Sequence, residues 1–127
     1  MTSVEVPYSI ACVLPSLVVL DITNEIAHEV TEAEWSSGIV FVTAGEGGLI
    51  RVNEREAGFF ADVESLLERL VPLDVPGRER LLAFLLGAGT EQVPFAAGQL
   101  CLGRWQRILL FGFSEEFAPE WTLTLVG

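Results

Sequence analysis

A glycine cluster at residues 45–48 is the first part of this sequence where chemistry could take place. The segment reads Gly-Glu-Gly-Gly, and the apolar run that follows it ends at Asn53 and Glu54. A phosphate-binding glycine loop lies between a strand and a helix, whose N-terminal amides face the anion. Here the glycines lead into a predicted strand, and Glu46 puts a carboxylate where an anion would sit. We therefore interpret the segment as a hairpin-type connection between two strands.

Two carboxylates lie at positions where acid–base catalysis is conceivable. Glu54 follows Asn53 at the end of a predicted strand, and Asp62 opens the strongest predicted helix. Structural roles compete with catalysis, because Asp62 would favour the positive end of that helix and residues 53–56 resemble a capping box. We favour the structural roles and keep Asn53, Glu54 and Asp62 as catalytic candidates.

The residues that usually bind metals are few. His28 is the single histidine, and one histidine cannot supply the three or four ligands of a typical zinc site. Cys12 and Cys101 lie in apolar surroundings without C-x-x-C spacing, which predicts two buried cytosolic thiols rather than a disulfide. Trp105 could stack on a ligand, although packing against a neighbour is the favoured interpretation. We expect no metal and no cofactor.

Composition excludes several classes of partner. The formal net charge is −11 and all seven basic residues are arginine, so binding to nucleic acid or to an anionic membrane is disfavoured. The longest apolar run, residues 10–20, is shorter than the roughly 20 residues of a membrane span. The first residues carry no positive charge, which argues against a secretory signal, so we expect a cytoplasmic protein. Sparse asparagine and glutamine fit a heat-adapted source.

Hydrophobic patterning predicts helices and strands for most of the chain. We predict one helix at about 24–35, capped by Thr23, a clear helix at 59–71 and a short leucine-rich stretch at 78–86. The predicted strands lie at 4–14, 17–22, 39–43, 49–52, 92–96, 99–103, 107–113 and 121–127. This pattern indicates an α+β fold in a single domain over 1–127, with a mainly antiparallel sheet and two main helices. Apolar residues make up 50% of the chain, which suggests burial between subunits.

Several of these segments together resemble the YjbQ-like family, small bacterial and archaeal proteins of which some are described as secondary thiamine-phosphate synthases. The resemblance rests on DITNEI at 21–26, GIVFV at 38–42, LIRVNE at 49–54 and DVESLLERLVP at 62–72. Its most specific part is LLGAGTEQVPFAAGQLCLGRWQRILL at 85–110, which keeps the family's glycines together with Pro94, Trp105 and Gln106. The resemblance implies an α+β protein that assembles as a compact homotrimer.

The sequence departs from the family where reactive residues are expected. Family members carry His-Thr-Ser/Thr-Ala before the strand that ends in Asn-Glu, and this chain has glycines and Glu46 there. Arg80 stands about where the last histidine of a later family loop falls. The resemblance leaves Asn53, Glu54, Asp62, Trp105 and Gln106 as the retained polar positions. The ligand-binding candidates are Gly45, Glu46, Gly47, Gly48, Arg80, Trp105 and Gln106.

The sequence is compatible with three functions. The favoured one is a divergent, non-catalytic or weakly active trimeric scaffold, because the family's histidines are missing. The first alternative is an enzyme resembling thiamine-phosphate synthase, joining a pyrimidine diphosphate to a thiazole phosphate, with Arg51, Arg80 or Arg104 as phosphate contacts. The second alternative is a module that binds a small molecule or a partner, and the sequence does not identify that ligand.

Overall fold

A computed structural model describes residues 9–87, 89–114, 117 and 119–127, and this part of the chain forms eight strands and three helices. The strands are β1 (Ser9–Leu14), β2 (Leu17–Asp21), β3 (Ser37–Ala44), β4 (Gly48–Glu54), β5 (Thr90–Ala96), β6 (Gln99–Leu100), β7 (Gln106–Gly112) and β8 (Trp121–Val126). The helices are α1 (Thr23–Ala33), α2 (Ala57–Leu70) and α3 (Arg78–Leu86). Residues 4–8 of the predicted first strand lie outside the described residues.

The strands form two four-stranded antiparallel sheets. Sheet A has the order β1-β2-β7-β4, and sheet B has the order β6-β5-β3-β8. The expected α+β class is confirmed. The chain departs from the expectation in dividing its strands between two sheets and in building a full third helix from 78–86.

Two apolar cores lie on the two faces of sheet A. The first joins sheet A to sheet B and to α1, and includes Ile26, Val40, Ile50, Phe95 and Ile108. The second joins the other face of sheet A to α2 and α3, and includes Phe60, Leu67, Leu82, Leu109 and Phe111. Because β7 is covered on both faces, residues 108–111 are buried without interruption, as a central strand requires.

The start of α1 differs from the predicted cap. The structure gives Ile22 as the N-cap residue, with no side-chain cap hydrogen bond. The Thr23 hydroxyl donates instead to Asp21 Oδ1 over 2.7 Å and accepts the Ile108 amide over 2.8 Å. Thr23 therefore joins α1 to two strands rather than capping the helix.

The start of α2 corrects two further predictions. Glu56 caps the helix, because its carboxylate accepts the amides of Gly58 over 2.8 Å and Phe59 over 2.7 Å. The capping box predicted over 53–56 is therefore wrong in its N-cap residue. Asp62 lies five residues beyond the helix start and is exposed, so it does not occupy the first turn that the dipole argument required.

No helix in the described part of the chain is long and apolar enough to cross a membrane.

Candidate functional site

The glycine segment forms a tight turn between the two sheets. The Gly48 amide donates to the Gly45 carbonyl over 3.2 Å, and Gly47 has φ = +78°. A positive φ at the third residue of a turn is the type II requirement that glycine meets without strain. The turn is confirmed, but the hairpin is wrong, because β3 lies in sheet B and β4 in sheet A.

An aromatic side chain covers the sheet beside this turn. Gly48 and Gly112 are paired across β4 and β7, and Phe117 packs on both of them. A Cβ added to Gly48 would lie 3.2 Å from the Phe117 ring, and one added to Gly112 would overlap with that ring. The chain after β7 also holds the turn directly, because the Gly45 amide donates to the Glu120 carbonyl over 2.8 Å. The glycines therefore admit an apolar cover rather than a ligand.

A cleft of about 730 Å³ opens beside Gly45 and carries several carboxylates. We call it the turn cleft; its lining residues are Glu25, Glu29, Gly45, Pro119, Glu120, Trp121, Thr122, Leu123 and Leu125. Burial, together with the nearby charge of Glu29, raises the pKa of Glu25 above its ordinary value. Glu25 Oε2 is buried and has no hydrogen-bond partner among the residues that the structure describes. The turn cleft therefore opposes anionic ligands, phosphorylated ones included.

Asn53, Glu54 and Gln106 lie together at the opposite end of sheet A. Glu54 is paired with Gln106 in register, and the Asn53 side chain donates to the Glu54 carbonyl over 3.0 Å. Gln106 Oε1 accepts the Gly103 amide over 2.6 Å, so this side chain closes the turn before β7. Trp105 in that turn is 65% exposed, and the Arg104 guanidinium lies 5.0 Å from its ring centre. The Asn53 and Gln106 side chains therefore form hydrogen bonds with the backbone.

The candidate residues are thus divided between two ends of one sheet. β4 begins at Gly48 and ends at Glu54. Six steps along a strand cover about 20 Å, at roughly 3.3 Å for each residue. Asp62 is exposed on α2 and His28 on α1. Within one chain, residues 45–48 and Asn53, Glu54 and Gln106 therefore do not form a common site.

A mainly apolar pocket of about 310 Å³ lies between β4 and the helices α2 and α3. We call it the α2 pocket; its lining residues are Leu49, Arg51, Val52, Asn53, Phe59, Val63, Leu66, Leu67, Leu86, Phe111 and Phe113. Successive β4 side chains alternate between the two faces of sheet A, which directs Arg51 and Asn53 to the same side. Sequence reasoning did not find this pocket, because its wall needs α2 to lie across the sheet.

The three arginines considered for phosphate contacts lie apart. Arg51 donates to the Ile50 and Leu86 carbonyls, each over 2.8 Å, and so fixes the end of α3 to β4. Arg80 is exposed at a separate cavity of about 370 Å³ beside Pro76 and Phe84. Arg104 stacks on Trp105. The structure does not bring these guanidinium groups together.

Asp21 accepts hydrogen bonds from three different residues, and the sequence reasoning did not single it out. Its carboxylate is fully buried and accepts from Arg107 Nε over 2.8 Å, Arg55 Nη1 over 3.2 Å and the amide and hydroxyl of Thr23. Burial works to raise the pKa of Asp21, but the hydrogen bonds from Arg107 and Thr23 outweigh it, so the pKa lies below its ordinary value. The Asp-x-Thr spacing before a helix was the available signal.

The cysteines fit the expectation only in part. Both are free thiols, as predicted. Cys12 is half-buried, and burial, with the charge of Glu64, raises its pKa. Cys101 is exposed, so its predicted burial is wrong.

Comparison with known proteins establishes the family. The model of the family described as UPF0047 protein YjbQ-like matches residues 15–127. The chain belongs to the YjbQ-like family. A UPF0047 protein of Archaeoglobus fulgidus is 35% identical over 105 residues, which cover 75% of this chain and 80% of that relative. A UPF0047 protein of Methanothermobacter thermautotrophicus is 32% identical over 111 residues, covering 80% of this chain and 75% of that relative.

Several solved structures share the fold. A hypothetical protein from Aeropyrum pernix K1 superposes with a TM-score of 0.75 at 25% identity, covering 87% of this chain and 90% of that one. An uncharacterised YjbQ/UPF0047 protein from Clostridium acetobutylicum has a TM-score of 0.77 at 23% identity, covering 90% and 95%. The names of these proteins state no activity, so the family assignment gives this YjbQ-like chain a fold but no reaction.

Proposed function

We propose that this YjbQ-like protein is a divergent, non-catalytic or weakly active member that keeps the family scaffold as one domain over 1–127. The observation that carries the proposal is the cover over the glycine turn. Phe117 packs on Gly48 and Gly112, and the Glu120 carbonyl accepts the Gly45 amide. A side chain at Gly45 would meet Glu120, since an added Cβ would lie 2.7 Å from its Cβ. The segment after β7 therefore covers the glycine turn, which is the position where the resemblance expects the family's histidine motif.

Electrostatics supports the same proposal. Glu25, Glu29 and Glu120 line the turn cleft, and the chain carries a net charge of −11. A phosphorylated substrate would meet like charge on entering this cleft, which disfavours binding. An activity resembling thiamine-phosphate synthase would need cationic contacts, and the candidates Arg51, Arg80 and Arg104 do not line this cleft.

Metal analysis of the purified protein tests this proposal without knowledge of a substrate. We expect far less than one zinc or other transition metal per chain after purification without chelators. A relative that retains His-Thr-Ser/Thr-Ala, purified in parallel, shows whether the procedure preserves bound metal. Near-stoichiometric metal in this protein would contradict the proposal, because it would require a ligand set that survives the loss of the histidines.

The assembly is proposed to be a homotrimer in the cytoplasm. Apolar side chains exposed on the single chain support association, among them Phe84 at 84%, Leu85 at 59% and Ile39 at 38%. The free thiols Cys12 and Cys101 support a reducing compartment. Light scattering after size exclusion should give three times the chain mass of 13.8 kDa.

The scarcity of Asn and Gln supports a heat-adapted source, for which a high melting temperature is expected.

Binding of a small, mainly apolar ligand is the second candidate function, favoured by the α2 pocket. This pocket combines apolar walls with two polar side chains, Arg51 and Asn53, as ligand sites usually do. A thermal-shift screen against neutral metabolites tests it. The variant Val63→Phe should fill the pocket and abolish any shift, whereas Leu70→Phe, on the same helix but outside the pocket, should preserve it. No hit, or a hit that survives Val63→Phe, would contradict this candidate.

A further inference from the structure

Arg78 is a buried cation with no counter-charge among the described residues. The residue is 5% exposed, and its Nε donates to the Val71 carbonyl over 2.7 Å. Its Nη2 is buried and has no hydrogen-bond partner in the part of the chain that the structure describes. The only ion pairs within 4.0 Å in the described part of the chain are those of Asp21, so no carboxylate there neutralises Arg78. A guanidinium stays charged in proteins, and an unpaired one is costly to bury.

This arginine lies in the wall of a cavity of about 530 Å³ at the start of α3. The cavity also borders on Ser114, two residues after the end of β7, and on Ser16, between β1 and β2. Ser114 brings a hydroxyl group to the lining of the same cavity. The Ser16 hydroxyl is already bonded to Glu64 and Glu68, each over 3.0 Å, so we do not count it as a donor.

The N-terminus of α3 adds a second source of positive potential. Arg78 is the first residue of this nine-residue helix, and the preceding Gly77 is left-handed and provides no side-chain cap. The first amides of a helix lack intrahelical acceptors, and the helix dipole places partial positive charge there. A buried guanidinium and an uncapped helix start therefore occur at the same place, and each favours an anion.

We propose that this cavity binds a small oxyanion, a phosphate or carboxylate group, with Arg78 as its principal counter-charge. The planar guanidinium offers paired donors that match such oxyanions, and a bound oxyanion would supply the counter-charge that Arg78 lacks. Glu79 also lines the cavity, and the carboxylates of Glu64 and Glu68 accept hydrogen bonds from Ser16 in its wall. These carboxylates oppose polyanions, so the ligand is one with a single oxyanion group. The site is distinct from the turn cleft and needs no histidine.

Calorimetry and thermal unfolding with inorganic phosphate test the proposal on the full-length protein. We expect saturable heat and a saturable rise in melting temperature that chloride at the same ionic strength does not produce. Acetate and phenyl phosphate serve as further probes. Equal affinity for phosphate and phenyl phosphate would support a free-anion site, and at least tenfold tighter binding of phenyl phosphate would support an organic phosphate.

Two variants separate this site from general charge effects. Arg78→Met retains an apolar side chain in the buried space, and should abolish both the heat and the shift while the protein still folds. Arg69→Gln removes the same charge from an exposed position on α2 and should leave phosphate binding within about twofold of wild type. Absence of saturable binding in wild-type protein would overturn the proposal, and this measurement does not depend on any variant. Equal binding by Arg78→Met and wild type would overturn it as well.

Discussion

Arg107 Nε donates to Asp21 Oδ2 over 2.8 Å, joining residues that are 86 positions apart. The same carboxylate holds Arg55, which also donates to the Ser9 hydroxyl and the Ile10 carbonyl. Asp21 therefore ties together the ends of β1, β2, β4 and β7 and the start of α1. This buried network contains Asp21 and Thr23 of the segment DITNEI, one of the segments that carried the resemblance to the YjbQ-like family, and it gives both residues a structural role in this chain.

Replacing Asp21 should destabilise the protein strongly. Asp21→Asn keeps one acceptor for Thr23 but removes the charge that pairs with Arg55 and Arg107. We expect a loss of about 2–3 kcal/mol in the free energy of unfolding, since hydrogen bonds to charged groups are each worth roughly 1.5–3 kcal/mol. Asp62→Asn, at an exposed position of α2, should stay within about 0.5 kcal/mol. Urea unfolding of both variants checks this, and equal stability of the two would refute the structural role.

The same carboxylate predicts loss of stability in acid. The pKa of Asp21 lies below its ordinary value of 3.8, so the native protein holds this proton less tightly than the unfolded chain. Its stabilisation is therefore complete well above pH 3.8 and is lost as the pH falls through the lower native pKa. Unfolding free energies measured from pH 7 to pH 3 should fall more steeply for wild type than for Asp21→Asn. Parallel curves would show that Asp21 does not contribute in this way.

Glu25 should give the opposite dependence of stability on pH. Burial and the charge of Glu29 raise its pKa above the ordinary value of 4.5, so the ionised form is unfavourable in the native protein. The cost is absent below pH 4.5 and appears as the pH rises through the native pKa. Glu25→Gln should therefore raise the melting temperature at pH 7 and lose this advantage in acid. Glu32→Gln, exposed on the same helix, is the control, and an equal effect of both would contradict burial as the cause.

Much of the fold was predictable from the sequence because local patterns and global packing agree. The predicted leucine-rich stretch at 78–86 coincides with α3, and the strand predicted at 107–113 coincides with β7 to within one residue. Such segments are set by short-range periodicity and by glycine and proline boundaries. The division into two sheets was not predictable. A turn sequence such as that of residues 45–48 can connect two strands that pair with each other or two strands that lie in different sheets.

The candidate site was less predictable for a physical reason. Contacts between distant segments decide whether Phe117 covers Gly48 and whether the Arg78 Nη2 group is buried without a hydrogen-bond partner among the described residues. Arg80 was considered because it stands in place of a family histidine, yet the buried arginine is Arg78, two positions earlier. The Pro-Gly pair before Arg78 signalled a helix start but carried no information on burial.

The cover over the glycine turn can be tested by a double-mutant cycle. Gly112→Ala adds a methyl group that overlaps with the Phe117 ring, and should cost about 1–3 kcal/mol of unfolding free energy, as overpacking usually does. In the Phe117→Ala background the same substitution should cost much less, because the ring is gone. Chemical denaturation of the four proteins gives the coupling energy. A coupling near zero would mean that Phe117 does not pack on this glycine in solution.

We propose that this YjbQ-like protein keeps the family scaffold and lacks the histidine-dependent chemistry that the resemblance implies for other members. A thiamine-phosphate synthase assay tests it most directly, with metal-analysed protein beside a relative that retains His-Thr-Ser/Thr-Ala. We predict no product above the enzyme-free background under conditions in which the relative turns over. A rate comparable to that of the relative would contradict the claim and would reassign the chemistry to Asn53, Glu54 and the arginines.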